Sequence, residues 1–163
     1  MLLLTAFAFL VSAFSVILAG DPGITGEVNN DRERYLQRLK FMRMKRPDNP
    51  EYSFQIGNLY SSLQMEDEAI KEYRRTLRVD PHHPGAKWFL SHVLSSKGYH
   101  EEAFRLVREL MDQRPEDPEL YYWAGEILLQ LKQPDLAKEY FARVDELNFP
   151  ERKPPVSIKP VIR

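Results

Sequence analysis

The chain has 163 residues, of which 43% are hydrophobic and 29% are charged, a composition that indicates one small globular domain with short appendages. The absence of cysteine excludes disulfide bonds, thiolate zinc sites and cysteine catalysis. The formal net charge of -1 argues against nucleic-acid binding.

The first twenty residues contain no charged side chain, and residues 2–19 are an unbroken run of apolar or small residues. As a helix this run would be about 27 Å long, which is close to the thickness of the hydrocarbon core of a bilayer. A secretory signal usually starts with basic residues, and none are present here. We therefore expect residues 1–20 to be an uncleaved transmembrane anchor, with a cleaved signal peptide as the alternative.

Basic residues near a spanning helix tend to stay in the cytoplasm, and those of this chain all follow the apolar run. This distribution predicts a single-pass protein whose body faces the cytoplasm. If the leader is cleaved, the body is instead periplasmic or secreted.

Residues 21–29 are predicted to be a linker, and residues 30–46 a basic amphipathic helix. Asn30 or Asp31, followed by Glu33, resembles a capping box at its start. Its apolar face consists of Tyr35, Leu36, Leu39 and Met42. One interpretation is that this helix caps the exposed edge of the domain that follows. The other is that its basic face lies against anionic lipid, with Arg38, Lys40 and Arg43 at the membrane surface.

Matching residues recur every 34 residues along the body of the chain. The repeated sets are Pro50, Pro84 and Pro118; Gly57, Ser91 and Gly125; Ala69, Ala103 and Ala137; and Tyr73, Val107 and Phe141. Three units, 50–83, 84–117 and 118–151, follow one another without insertion or deletion. A fixed period of this size is typical of stacked repeats.

Apolar residues within each unit predict two helices joined by a short turn. Pro134 suits the first position of its helix, where no backbone donor is needed. The small residues at Gly57, Ser91 and Gly125 let the paired helices approach closely.

This pattern resembles that of the tetratricopeptide repeat family. The first unit matches through Ile56-Gly57, Tyr60, Ala69, Tyr73 and Pro81, and the third through Tyr121, Ala124-Gly125, Leu128, Ala137 and Phe141. The resemblance implies an all-α fold of three stacked helix–turn–helix units in a right-handed superhelix. The hydrophobic N-terminal helix and the basic capping helix precede it.

Several positions depart from the family pattern. Ser91 replaces the glycine of the second unit, and Phe149 replaces the last proline. Larger residues, Thr76, Leu110 and Val144, replace a later alanine. We expect looser packing at these positions.

The resemblance implies that the first helices of the units line a concave groove that binds a protein or peptide. The predicted partner-binding residues are Phe54, Asn58, Trp88, His92, Tyr122 and Glu126. Phe54, Trp88 and Tyr122 would form an aromatic stripe that grips an apolar anchor. The alternative is that these aromatic residues only pack between neighbouring helices.

Family members that bind acidic C-termini clamp the carboxylate with basic residues and asparagines. Only Asn58 matches that clamp, and Phe54, Glu119 and Trp123 stand where basic residues would be. We do not expect this chain to be of that type.

No catalytic residues, metal site or cofactor are expected. His82, His83, His92 and His100 lack a nearby set of ligands, and the sequence has no glycine-rich phosphate loop. Residues 152–163 are predicted to be a proline-rich, basic, extended tail that lies over the edge of the third unit or leaves it to a partner subunit.

Together these features predict a noncatalytic, membrane-anchored scaffold or adaptor for protein–protein interaction or complex assembly. The alternatives are a secreted or periplasmic protein that assists assembly of envelope proteins or cytochromes, and an accessory subunit of a membrane complex.

Overall fold

The computed structural model describes the backbone of residues 22–149 and the side chains of residues 30–149. This part of the chain forms seven α-helices and no strand: α1 (Pro22–Lys45), α2 (Pro50–Ser62), α3 (Glu66–Val79), α4 (Pro84–Ser96), α5 (His100–Gln113), α6 (Pro118–Gln130) and α7 (Pro134–Asn148). The predicted anchor or signal peptide at 1–20 and the predicted tail at 152–163 lie outside the described residues. Among the described helices, none combines the length and the apolar character needed to cross a bilayer.

The helices pair as the 34-residue period predicts, α2 with α3, α4 with α5 and α6 with α7. Each first helix begins at a proline, and α7 also begins at Pro134, as predicted. The residue before each of these first-helix prolines accepts a hydrogen bond from a backbone N–H of the first turn, through the side chains of Asn49, His83 and Asp117. Each unit therefore begins with a capping side chain followed by a proline. The proline stands at the first helical position, where a backbone N–H has no acceptor within the helix.

The turn between the two helices has the same geometry in all three units. Gln64, Gly98 and Lys132 occupy equivalent positions with φ of 59°, 82° and 59°. The next residue closes each turn by donating its N–H to a carbonyl oxygen five residues back, for example Met65 to Tyr60 at 2.9 Å. The two residues that are not glycine adopt the left-handed conformation at a cost of about 1 kcal/mol each.

Close approach of the paired helices depends on the small residue of each unit. A Cβ atom at Gly57 would lie 2.7 Å from Cε1 of Tyr73, and one at Gly125 would lie 2.6 Å from Cε1 of Phe141. In the second unit Ser91 occupies this position and Val107 replaces the aromatic residue. The smaller valine leaves the volume that the serine side chain needs.

Three of the positions at which looser packing is expected are closed to solvent. Ser91, Thr76 and Leu110 are fully buried. Their polar groups are also satisfied, since Oγ of Ser91 donates to the Trp88 carbonyl oxygen at 2.7 Å and Oγ1 of Thr76 donates to the Glu72 carbonyl oxygen at 3.0 Å. These three side chains are therefore part of the interior.

Helix α1 begins earlier than predicted, and most of the segment 21–29 that was predicted to be a linker is helical. Pro22 suits the first position of a helix. Asn30 and Asp31 lie inside α1, where their unfavourable propensity of about 0.7 kcal/mol each is outweighed by continued backbone hydrogen bonding. The helix packs against α2, its Leu39 is buried, and the Tyr35 hydroxyl donates to Oε1 of Gln55 at 3.1 Å. These contacts support the interpretation of α1 as a cap on the first unit.

Candidate functional site

A cleft of about 570 Å³ lies between the first helices of the second and third units. We call it the α4–α6 cleft. Its lining residues come from α4, the following turn, the start of α5, and α6: His92, Ser95, Ser96, Gly98, His100, Trp123, Glu126 and Gln130. Two of the predicted partner-binding residues, His92 and Glu126, are among them.

His92 and Trp123 form one wall of the α4–α6 cleft, and Trp88 packs against His92. The His92 ring is parallel to Trp123 with centroids 4.0 Å apart, and it meets Trp88 edge-on at 4.5 Å. The indole N–H of Trp123 donates to Oγ of Ser91 at 3.1 Å, which fixes the orientation of the indole. The contacts that orient these rings are therefore formed without a partner.

The His92 ring also carries a polar atom without a partner in the described chain. Its Nε2 is buried and makes no hydrogen bond there. Burial lowers the pKa of His92, so the ring is uncharged near neutral pH. A buried polar nitrogen without a hydrogen bond costs about 1–3 kcal/mol of folding free energy.

The charge of the α4–α6 cleft is neutral to negative. Glu126 is its acidic residue, and no lysine or arginine among residues 30–149 lines it. Asn58, the residue that matches the carboxylate clamp, accepts a hydrogen bond from the Tyr73 hydroxyl at 2.8 Å and so supports packing within the first unit. This arrangement offers no cationic clamp for an acidic C-terminus.

The predicted aromatic stripe is not uniformly exposed. Phe54 is half-buried, packs against His83 with centroids 4.7 Å apart, and also contacts Gly85. Trp88 is half-buried against the core. Tyr122 is 53% exposed and is the one of the three that is open to a partner. Phe54 and Trp88 therefore fit the alternative in which the aromatic residues pack between neighbouring helices.

Trp123 lines the cleft but is not among the residues predicted to bind a partner; the sequence relates it only to a clamp position that it does not match. It stands directly before Ala124 and Gly125, on a helix whose buried face is set by those small residues. An aromatic residue next to that face is the signal that could have identified it.

The three residues predicted to face lipid have different surroundings. Arg43 is mostly buried and forms an ion pair with Glu72 at 2.5 Å. The ammonium group of Lys40 lies 6.0 Å from the centre of the Tyr60 ring, whereas Arg38 is exposed. Arg43 therefore forms part of the contact between α1 and α3.

Within residues 30–149, no group of three or more histidine, aspartate or glutamate side chains is placed to hold a metal ion.

Comparison with known proteins identifies the repeats. Residues 50–83 match one family model described as tetratricopeptide repeat, and residues 94–152 match a second with the same description. The chain therefore contains tetratricopeptide repeats, as the 34-residue period predicts. Such repeats generally form noncatalytic scaffolds for protein–protein interaction.

A curated relative supports the same assignment. Cell division cycle protein 27 homolog A from Arabidopsis thaliana is 30% identical to this chain over 93 residues. The match covers 57% of this chain and 13% of that protein, so the chain spans a small part of the relative's length.

Solved structures of MamA proteins share the fold. A crystal structure of MamA matches with a TM-score of 0.68 and 17% identity, covering 77% of this chain and 69% of that chain. MamA from Desulfovibrio magneticus RS-1 matches with a TM-score of 0.66 and 18% identity, covering 80% and 73%. At these identities the likeness concerns the fold alone.

Proposed function

We propose that this protein is a noncatalytic scaffold that holds a segment of a partner protein along the face formed by α4 and α6. The observation that carries this proposal is the wall of His92 and Trp123 in the α4–α6 cleft. The exposed Tyr122 ring lies on α6, one helical turn before Glu126 of the same cleft. Rigid aromatic side chains contribute most of the binding free energy at many protein interfaces because little conformational entropy is lost when they bind.

The chemistry of the α4–α6 cleft defines the kind of segment that fits. An apolar or aromatic side chain of the partner would pack against Trp123 or Tyr122. A donor or a cation would reach the Glu126 carboxylate. The partner segment is therefore apolar with neutral or basic flanks.

The partner can be found by photo-crosslinking in cells that express the full chain. A photoreactive amino acid at Gln130, which lines the cleft, is expected to capture a defined protein. The same amino acid at Gln113, exposed at the end of α5, is the control. With the captured segment as ligand, Tyr122→Ala is expected to weaken binding by about tenfold, because it removes an exposed aromatic contact.

A second tyrosine provides the matched control for that substitution. Tyr99 is 54% exposed, compared with 53% for Tyr122, and it lines a separate cleft formed by residues of α3, α4 and α5. Tyr99→Ala is expected to change the dissociation constant by less than about twofold. Equal weakening by both substitutions, or equal capture from both crosslinking positions, would contradict binding at this face.

We further propose that residues 1–20 anchor the scaffold at a membrane, so that it assembles a complex there. The support is the charge-free apolar run, whose length as a helix approaches that of a bilayer core.

In the anchored protein, Met1 is expected to be retained and the chain to stay in the membrane fraction after carbonate washing. N-terminal sequencing of the mature protein shows directly whether Met1 is retained. A mature chain that starts near Phe14 or Asp21 would contradict the anchor and support the secreted or periplasmic alternative. Co-purification in a stable stoichiometric complex would assign the chain as an accessory subunit.

A further inference from the structure

A second cleft, of about 510 Å³, lies between α1 and α3 and is strongly basic. We call it the α1–α3 cleft. Its walls carry Lys40 and Arg43 from α1, and Arg75 and Arg78 from α3. Each pair is spaced three residues apart, so its members share one helix face. Met44, Pro47 and Val79 supply the apolar part of the lining.

Few carboxylates of the described chain neutralise these cations. Glu72 pairs with Arg43 at 2.5 Å. Among residues 30–149, no carboxylate lies within ion-pair distance of Lys40, Arg75 or Arg78. Cations gathered around one cleft repel each other, and an anion placed between them relieves that repulsion.

The repeat fold does not require these two arginines of α3. The equivalent positions of the second unit are Glu109 and Asp112, and those of the third unit are Arg143 and Glu146. The arginine pair is therefore a property of the first unit, at the place where α1 packs beside it.

We propose that the α1–α3 cleft binds an acidic peptide segment of a partner protein. Its carboxylates would pair with Arg75, Arg78 and Lys40, and one apolar side chain would contact Met44 and Val79, both of which are exposed. The predicted basic tail of this chain does not suit the cleft, since residues 152–163 carry no acidic side chain. A concave cleft between two helices also favours a peptide over the flat surface of a bilayer.

This site goes beyond the proposed scaffold function because it has the opposite charge preference from the α4–α6 cleft. The two clefts lie in different units and share no lining residue. One chain can therefore hold a neutral or basic segment at one place and an acidic segment at another.

The test uses the full chain in neutral detergent and a fluorescent peptide of about twelve residues that alternates glutamate with leucine. We expect saturable binding that weakens by about tenfold in R75E/R78E and also weakens as salt rises from about 50 to about 300 mM. The matched control is R105E/R108E, an exposed arginine pair with the same spacing on α5, which is expected to change binding by less than about twofold. Tyr122→Ala should leave this binding unchanged, which separates failure here from failure of the proposed function.

Several results would overturn the proposal. One is the absence of saturable binding, and another is equal weakening by both arginine pairs. A peptide with glutamine in place of every glutamate that binds equally well would also contradict it. If the acidic peptide does not bind, and R75E/R78E instead abolishes a preference for phosphatidylserine-containing vesicles, the cleft is a lipid site. Thermal unfolding followed by circular dichroism checks that R75E/R78E is folded, and R75Q/R78Q replaces it if it is not.

Discussion

Gly57→Ser is expected to lower the free energy of unfolding by about 2 kcal/mol, although serine is the native residue at the equivalent position of the second unit. The reason is the partner on the second helix. A Cβ atom at Gly57 would lie 2.7 Å from Cε1 of Tyr73, and Tyr73 is fully buried. In the second unit Val107 faces Ser91, and the smaller side chain leaves space for the hydroxymethyl group.

A double-mutant cycle tests this explanation. Tyr73→Val alone is expected to cost about 3 kcal/mol, because it leaves a cavity and removes the hydrogen bond to Asn58. The combined Gly57→Ser and Tyr73→Val variant reproduces the pair found in the second unit. We expect it to be more stable than the sum of the single changes by at least about 1 kcal/mol. Chemical unfolding followed by far-ultraviolet circular dichroism measures all three variants.

Gly98→Ala serves as the control for the cycle. Nothing lies within 4 Å of a Cβ atom at Gly98, but its φ of 82° disfavours any side chain. Gly98→Ala is therefore expected to lower the free energy of unfolding by about 1 kcal/mol through the backbone alone. Tyr73→Val should not relieve that loss. Strictly additive effects of Gly57→Ser and Tyr73→Val would contradict the steric explanation.

Glu109→Ala is expected to destabilise the protein by about 2 kcal/mol, because it leaves a buried ammonium group without its counterion. The ammonium nitrogen of Lys87 lies 2.7 Å from Oε2 of Glu109, and the Lys87 side chain is only 5% exposed. Lys87→Met removes the charge and keeps the aliphatic volume. It is expected to leave stability unchanged or to raise it slightly, since the desolvation cost of the ammonium group disappears.

A second ion pair provides the comparison. Glu146 pairs with Arg143 at 2.7 Å, and its side chain is 43% exposed, compared with 45% for Glu109. Its cation is 37% exposed, so Glu146→Ala should cost less than about 0.5 kcal/mol. Chemical unfolding of the four proteins tests the difference. If Lys87→Met costs as much as Glu109→Ala, the pair itself is stabilising and the desolvation explanation is wrong.

The packing inside a repeat is visible in the sequence because both partners recur with the same period. Gly57 with Tyr73, and Ser91 with Val107, show that a small residue faces a larger one within every unit. The prolines that begin the first helices recur in the same way, and the family comparison confirms the repeats they indicate. The left-handed conformation of Gln64 and Lys132 was not predictable from residue type, because the turn geometry outweighs the preference for glycine.

The candidate sites were harder to predict because their residues come from different units or from α1. His92 and Trp123 are both visible in the sequence, but their stacking arises only when the second and third units pack together. Arg43 looked like part of a basic face, yet α1 places it against Glu72. The placement of Lys40 beside Arg75 and Arg78 likewise depends on how α1 packs.

The sequence by itself therefore determined the helix pairs, the prolines that begin their first helices and the small residues between them, since those features are local and repeated every 34 residues. The charge-free first twenty residues, on which the proposed membrane anchor rests, are likewise a feature of the sequence alone. Only the tertiary structure decided which aromatic residues are buried and which cations meet in a cleft. Burial and electrostatic contact depend on distances between helices, and residue spacing along the chain does not specify those distances.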